Sequence, residues 1–194
     1  KTTLIRIMMG FENSDKGSAT IFGYKPETVE AKKQIGFQSD NQFKTNQMRV
    51  KQYLEFNSKL LGIANNKEQI TFLLETFHMT NAANKRLDAL SKGMRQKIEL
   101  INAFIGEPKL VILDEPTAGL DPPSVFELRD FIQAQKRNGV TLLFSSHNLT
   151  EVEKISDRVL FINEGVLSGD YKLNETDPRF LEEAFRQYRS GGEQ

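Results

Sequence analysis

The chain has 194 residues, 38% of them hydrophobic, enough for one substantial core with a small subdomain attached. Its 26 basic and 26 acidic residues cancel, which argues against a dedicated binder of nucleic acid or of an anionic membrane surface. Cysteine is absent, so disulfides, thiolate metal sites and a cysteine nucleophile are excluded, and a cytosolic setting is expected. No apolar run approaches the roughly 18 residues of a membrane span and no signal-peptide pattern is present, so any span must come from another polypeptide. Because Lys1 rather than Met opens the chain, a natural N-terminus upstream is expected.

In chain order, Leu4, Ile5, Ile7, Met8 and Met9 predict a short apolar helix ended by Gly10. A short strand over Ala19 to Phe22 follows, closed by Gly23, and Pro26 can open a helix. Ile35 to Phe37 reads as a strand running into the polar segment Gln38 to Gln47. From Val50 to Leu61 the apolar spacing is helical, Asn66 caps a further helix through Phe77, and Ser91 precedes a third helical stretch, Ile98 to Ile105. Beyond Pro108 the texture changes. Lys109 to Leu113, Val140 to Ser145 and Val159 to Ile162 are short apolar strands, separated by helices over Val125 to Gln135 and Leu149 to Ile155. Strands apolar on both faces and alternating with helices imply a parallel sheet covered on both sides. Glu164-Gly165 turns into an edge strand, Val166 to Gly169, and Pro178 to Gln194 carries an amphipathic helix.

Four groups of residues can carry chemistry. Lys1-Thr2-Thr3 before an apolar helix matches the end of a phosphate-binding loop, in which the lysine meets the β- and γ-phosphates and the next hydroxyl binds Mg²⁺. A polar helix start is the plainer alternative. The strand Leu110 to Leu113 releases Asp114 and Glu115 at its C-terminal edge, where open α/β sheets bind ligands. Asp114 suits Mg²⁺ as a hard oxygen donor, and Glu115 can orient or deprotonate a water; a solvated acidic turn is the alternative. Ser145-Ser146-His147 closes the next strand, so His147 belongs at the same edge, where a neutral imidazole can meet a γ-phosphate oxygen. His78 is read as structural. Ser91 to Lys97 sets a hydroxyl and a glycine at a helix start, an anion acceptor or simply a serine cap.

Together these pieces resemble the ATPase domain of ABC transporters over nearly the whole chain. Lys1-Thr2-Thr3 resembles the end of the Walker A loop and Leu110 to Glu115 the Walker B strand. Pro116 to Pro122, with Asp121, is similar to the run into the D-loop; Leu90-Ser91-Lys92-Gly93-Met94 resembles the LSGGQ signature; the segment around His147 resembles the H-switch. Ser91 precedes Asp114 by 23 positions and His147 follows Glu115 by 32, in agreement with the family order. The signature and the Ser-Ser-His-Asn-Leu stretch look most like bacterial exporter ATPases encoded apart from their membrane subunits. Lys92 and Met94 depart from the signature, and Asp40 takes the place of the usual Q-loop Gln or Glu, with Gln38 and Gln42 nearby.

The resemblance implies an α/β P-loop NTPase core with a mostly parallel sheet, formed by residues 1–38 and 105–172. A helical signature subdomain (39–104) is inserted, and a C-terminal helix or tail (173–194) follows. It implies ATP and Mg²⁺ as cofactors. Lys1, Thr2, Thr3, Ser91, Lys92, Gly93 and Asp121 would contact nucleotide, Thr2, Asp114 and Asp40 the metal, and Glu115 and His147 would be catalytic. It further implies a homodimer of ATPase subunits, a membrane-spanning permease as partner, no nucleic acid, and a cytoplasmic location, peripheral on the inner face of the membrane. The activity implied is ATP hydrolysis powering export. A soluble ABC-type ATPase not coupled to transport, or a non-hydrolysing interaction module, are the alternatives.

Overall fold

Three apolar segments, β1 (Ile35–Gln38), β2 (Leu110–Asp114) and β3 (Thr141–Ser145), form a parallel sheet in that order. Ile35 pairs with Leu110, Gln38 with Leu113, and Asp114 with Ser145. The computed structural model describes residues 1–38, 47–63, 66–173 and 181–186. Its residues divide into two compact units, Thr2–Ser145 and Lys1 with Ser146–Gln194.

In the first unit β2 is central, and Val111, Ile112 and Leu113 are fully buried. Their transfer from water contributes on the order of 6 kcal/mol as an upper figure. Leu110 and Ile112 join Ile35, Ala31, Ile21, and Ile5 and Met9 of the N-terminal helix in one cluster, with α1 spanning Thr2–Met8. A four-residue helix, α2 (Val29–Lys32), starts at Thr28, whose Oγ1 accepts from the Ala31 amide at 3.3 Å.

Between β1 and β2 in sequence come three helices, α3 (Val50–Leu60), α4 (Lys67–Thr76) and α5 (Lys92–Phe104). Alternation brings Gly36 to the face of β1 against α5, so close that a Cβ would lie 1.7 Å from the Ala103 carbonyl oxygen. At the other end of α5, Gln96 Nε2 donates to the Glu115 and Pro116 carbonyls at 3.2 and 3.0 Å. The helix therefore runs antiparallel to β2, with its N-terminus at the strand's C-terminal edge. After β2 comes α6 (Pro122–Arg137), whose Phe131 meets Phe77 and Phe104 edge-on, with centroids 5.0 and 4.8 Å apart.

The second unit holds α7 (Leu149–Ile155), the antiparallel pair β4 (Arg158–Asn163) and β5 (Val166–Lys172), and helical residues 181–186. Val159, Phe161, Leu181 and Ala184 form its core.

Four sequence expectations change. Ala19 to Phe22 forms no strand: Phe22 and Gly23 take φ of 48° and 86°, and Ile21 and Tyr24 close a tight turn with paired hydrogen bonds instead. The segment 159–162 lies in an antiparallel hairpin rather than the three-stranded parallel sheet, since Glu164 and Gly165, both at positive φ, turn the chain straight back. The helix expected over Ile98 to Ile105 begins six residues earlier, because the Ser91 hydroxyl accepts from the Met94 amide at 3.2 Å and starts it. Likewise α6 begins at Pro122, where proline suits a first helical turn.

Candidate functional site

Asp114 and Glu115 leave the central strand at its C-terminal end, both partly exposed. Four buried residues fix the strand's register, so the position of the carboxylates follows from it. Ser145, the last residue of β3 and Asp114's register partner, is 9% exposed and touches both neighbours. Its Oγ donates to Asp114 Oδ1 at 2.5 Å and accepts the Glu115 amide at 3.1 Å. Glu115 itself has φ of 51°, in the left-handed region that non-glycine residues rarely occupy.

The signature segment begins α5 in the same unit. Ser91 and Lys92 are exposed and Gly93 is half-buried. A Cβ on Gly93 would lie 2.9 Å from the Gly119 carbonyl oxygen, so glycine lets the helix start pack on the turn following Glu115. Asp121 follows that turn as the exposed N-terminal cap residue of α6, and the Ser124 hydroxyl first of all holds its carboxyl below the ordinary range. Thr2 and Thr3 open α1 and are exposed.

In the other unit, Lys1 Nζ and His147 Nε2 are 3.4 Å apart. An ammonium group can only donate, so Nε2 is the acceptor in that contact. The asparagine after it, Asn148, caps α7 through Oδ1, accepting from the Glu151 amide at 3.3 Å. Asp40 and Gln42 lie outside the described residues. Gln38, at the end of β1, is fully buried, with neither amide atom hydrogen-bonded among the described residues. His78 follows α4 at φ 55° and lies 3.3 Å from Glu127, consistent with a structural role.

The structure thus brings together Asp114, Glu115 and Ser145 in one place, Gly93 and the 117–120 turn in another, and Lys1 with His147 in a third. Sequence reasoning passed over Ser145 and Gln96 as site-forming residues. The signal was available for Ser145: a polar residue ending an apolar strand, in register with an acidic one. Nothing in the sequence alone marks the target of Gln96.

Comparison with known proteins gives the same picture. The ABC transporter family profile matches residues 1–118. An uncharacterized ABC transporter ATP-binding protein, YdbJ of Bacillus subtilis, is 34% identical over 184 residues, covering 91% of this chain and 58% of its own length. The SkfA peptide export ATP-binding protein SkfE, from the same organism, is 31% identical over 186 residues, covering 95% of this chain and 76% of its own length. The chain spans 53–61% of the length of YdbJ and two other relatives it matches. A solved ATP-binding subunit of an ABC transporter superposes with a TM-score of 0.88 at 24% identity, over 96% of this chain and 82% of that one, so the two share one α/β fold. With well over half its residues inside the family profile and its carboxylate pair at the expected sheet edge, the chain belongs to the ATP-binding proteins of the ABC transporter family.

Proposed function

We propose that this chain binds and hydrolyses ATP to drive export through a separate membrane permease. The carrying observation is the Asp114–Glu115 pair at the C-terminal edge of the central strand, locked by Ser145, beside a serine-capped helix start. Mg²⁺ is the metal the donor set fits. Asp114 spends one oxygen on Ser145 and would offer the other, with the Thr2 hydroxyl as the second protein ligand of this reading. That is the sparse all-oxygen environment in which magnesium keeps waters and phosphate oxygens. When bound, the ion offsets charge on the phosphates.

In this reading Lys1, Thr2 and Thr3 hold the phosphates, and Asp114 and Thr2 hold the metal. Asp40 is retained as a further proposed metal contact. Glu115 orients and deprotonates the attacking water, and His147 steadies the transferring phosphoryl group. Ser91, Lys92 and Gly93, at the positive end of α5, meet the γ-phosphate of a second copy's nucleotide, and Asp121 borders that contact. Two copies then close around two nucleotides as an isologous pair. Because the bridging contact exists only in the closed pair, ATP has the differential affinity that a switch needs. The helical segment 39–104 passes the motion to the permease, and residues 1–38 and 105–172 form the nucleotide core. The name of SkfE and the signature's likeness to exporter sequences support the direction. Among the described residues no helix is long and apolar enough to cross a membrane. In this reading the permease supplies the spans and holds the chain at the cytoplasmic face.

The test is Glu115→Gln. The variant should bind ATP as the parent does, lose phosphate release by about 100-fold or more, and shift to dimer on a sizing column with ATP. Parental turnover would refute the assignment.

A further inference from the structure

We infer that Ser145 is a positioning residue that couples the metal-holding carboxylate to the water-activating one, an inference that rests on the proposed ATPase reading. Three observations carry it. Ser145 as a residue is only 9% exposed, so water does not replace its hydroxyl cheaply. Its single proton goes to Asp114 Oδ1 at 2.5 Å, and its lone pair takes the Glu115 amide at 3.1 Å, so one group serves both residues. Finally, Glu115 sits at φ 51°, a conformation that persists only where its surroundings hold it.

The consequence is directional. With Oδ1 engaged, the carboxylate plane of Asp114 is fixed and its second oxygen is aimed. With its amide held, Glu115 keeps the left-handed turn that sends its side chain off the strand line. Gln96 reinforces this from α5 by donating to the Glu115 and Pro116 carbonyls, so both sides of the 114–116 backbone are tethered. Loss of the hydroxyl therefore disturbs metal affinity and turnover together, while the groups that contact the triphosphate remain in the chain.

The experiment compares Ser145→Val with Ser145→Thr, which have the same shape and differ in the hydroxyl; Ser145→Ala removes the hydroxyl without adding volume. Three measurements are made on each: Mg²⁺-dependent ATP binding by calorimetry, kcat and KM for ATP, and hydrogen exchange of the Glu115 amide without nucleotide. We expect Ser145→Thr to stay within about 3-fold of the parent throughout. Ser145→Val and Ser145→Ala should need about 10-fold more Mg²⁺ for half-maximal ATP binding, lose about 30-fold in kcat with KM changing less, and exchange the Glu115 amide at least 10-fold faster. Equal behaviour of the Val and Thr variants in turnover and Mg²⁺ dependence overturns the positioning role. Unchanged Glu115 exchange in both Val and Ala variants overturns the clasp itself. Glu115→Gln run alongside separates the two readings: parental hydrolysis by that variant sinks the ATPase assignment, and the exchange data then judge the clasp alone.

Discussion

Glu99 is a carboxylic acid at 3% exposure in the packing between α3 and α5, and its one hydrogen-bond partner among the described residues is the Tyr53 hydroxyl, donating to Oε1 at 2.9 Å. Burial raises its pKa to about 7 against the tyrosine's opposing pull, and burial likewise pushes the Tyr53 hydroxyl up. The sign follows from which state holds the proton. Below about pH 4.5 both folded and unfolded chains carry it. As the pH rises toward 7 the unfolded chain has released it while the folded one retains it, so folding stability falls across that window and levels off above it. Glu99→Gln removes the charge and keeps an acceptor for Tyr53. It should therefore exceed the parent by on the order of 2 kcal/mol at pH 8, with the gap nearly closed at pH 5, in urea unfolding. A gap of the same size at both pH values would contradict this account. The buried acid also shows where legibility ends: Glu99 falls on the apolar face of α5, and neither its burial nor its partner 46 positions away is written locally.

Elements are decided by a few backbone positions. Gly36 allows α5 to lie on β1, and Gly36→Ala would drive a Cβ into the Ala103 carbonyl, where two rigid backbones meet. We predict a loss of about 3 kcal/mol or more, read as a lowered denaturation midpoint. An unchanged midpoint would mean that the helix can shift outward. The β4–β5 hairpin offers the opposite case. Glu164 and Gly165, at φ 45° and 84°, form a two-residue turn between Asn163 and Val166, a geometry that asparagine tolerates better than glutamate. Glu164→Asn should stabilise the hairpin by about 0.5 kcal/mol, measured as slower exchange of β5 amides. The boundaries of α3 and α7 were legible because apolar periodicity spans the whole helix. The start of α6 was not, because its polar first turn hides the period; for α5 the apolar period shows only from Ile98, and the serine cap at Ser91 alone marked the start.

At the scale of the molecule, burial is unequal. The unit Thr2–Ser145 encloses a sheet covered by α1 on one face and α5 on the other, whereas the hydrophobic cluster of the second unit, among the described residues, has four buried side chains. Opening free energy tracks buried apolar contact, so amides of β2 should exchange at least 100-fold more slowly than those of β4 and β5. Comparable protection in both would show that the smaller unit draws stability from beyond its own core. ATP with Mg²⁺ at about 100 times the dissociation constant should add about 2.7 kcal/mol to the stability of the parent and of Glu115→Gln alike, since that substitution leaves the proposed binding groups in place.

Sequence by itself determined the fold class, the order of strands and helices from Ile35 onward, and the carboxylate pair at the end of Leu110–Leu113, because hydrophobic periodicity and strand-end carboxylates are local patterns. Only the tertiary structure decided that 159–162 pairs antiparallel with the edge strand in a sheet of its own, that Ser145 holds Asp114 and Glu115 together, and that Gln96 ties α5 to the turn beyond them. Those facts depend on register between strands 31 positions apart and on a helix lying against a sheet, and no chain neighbour records either.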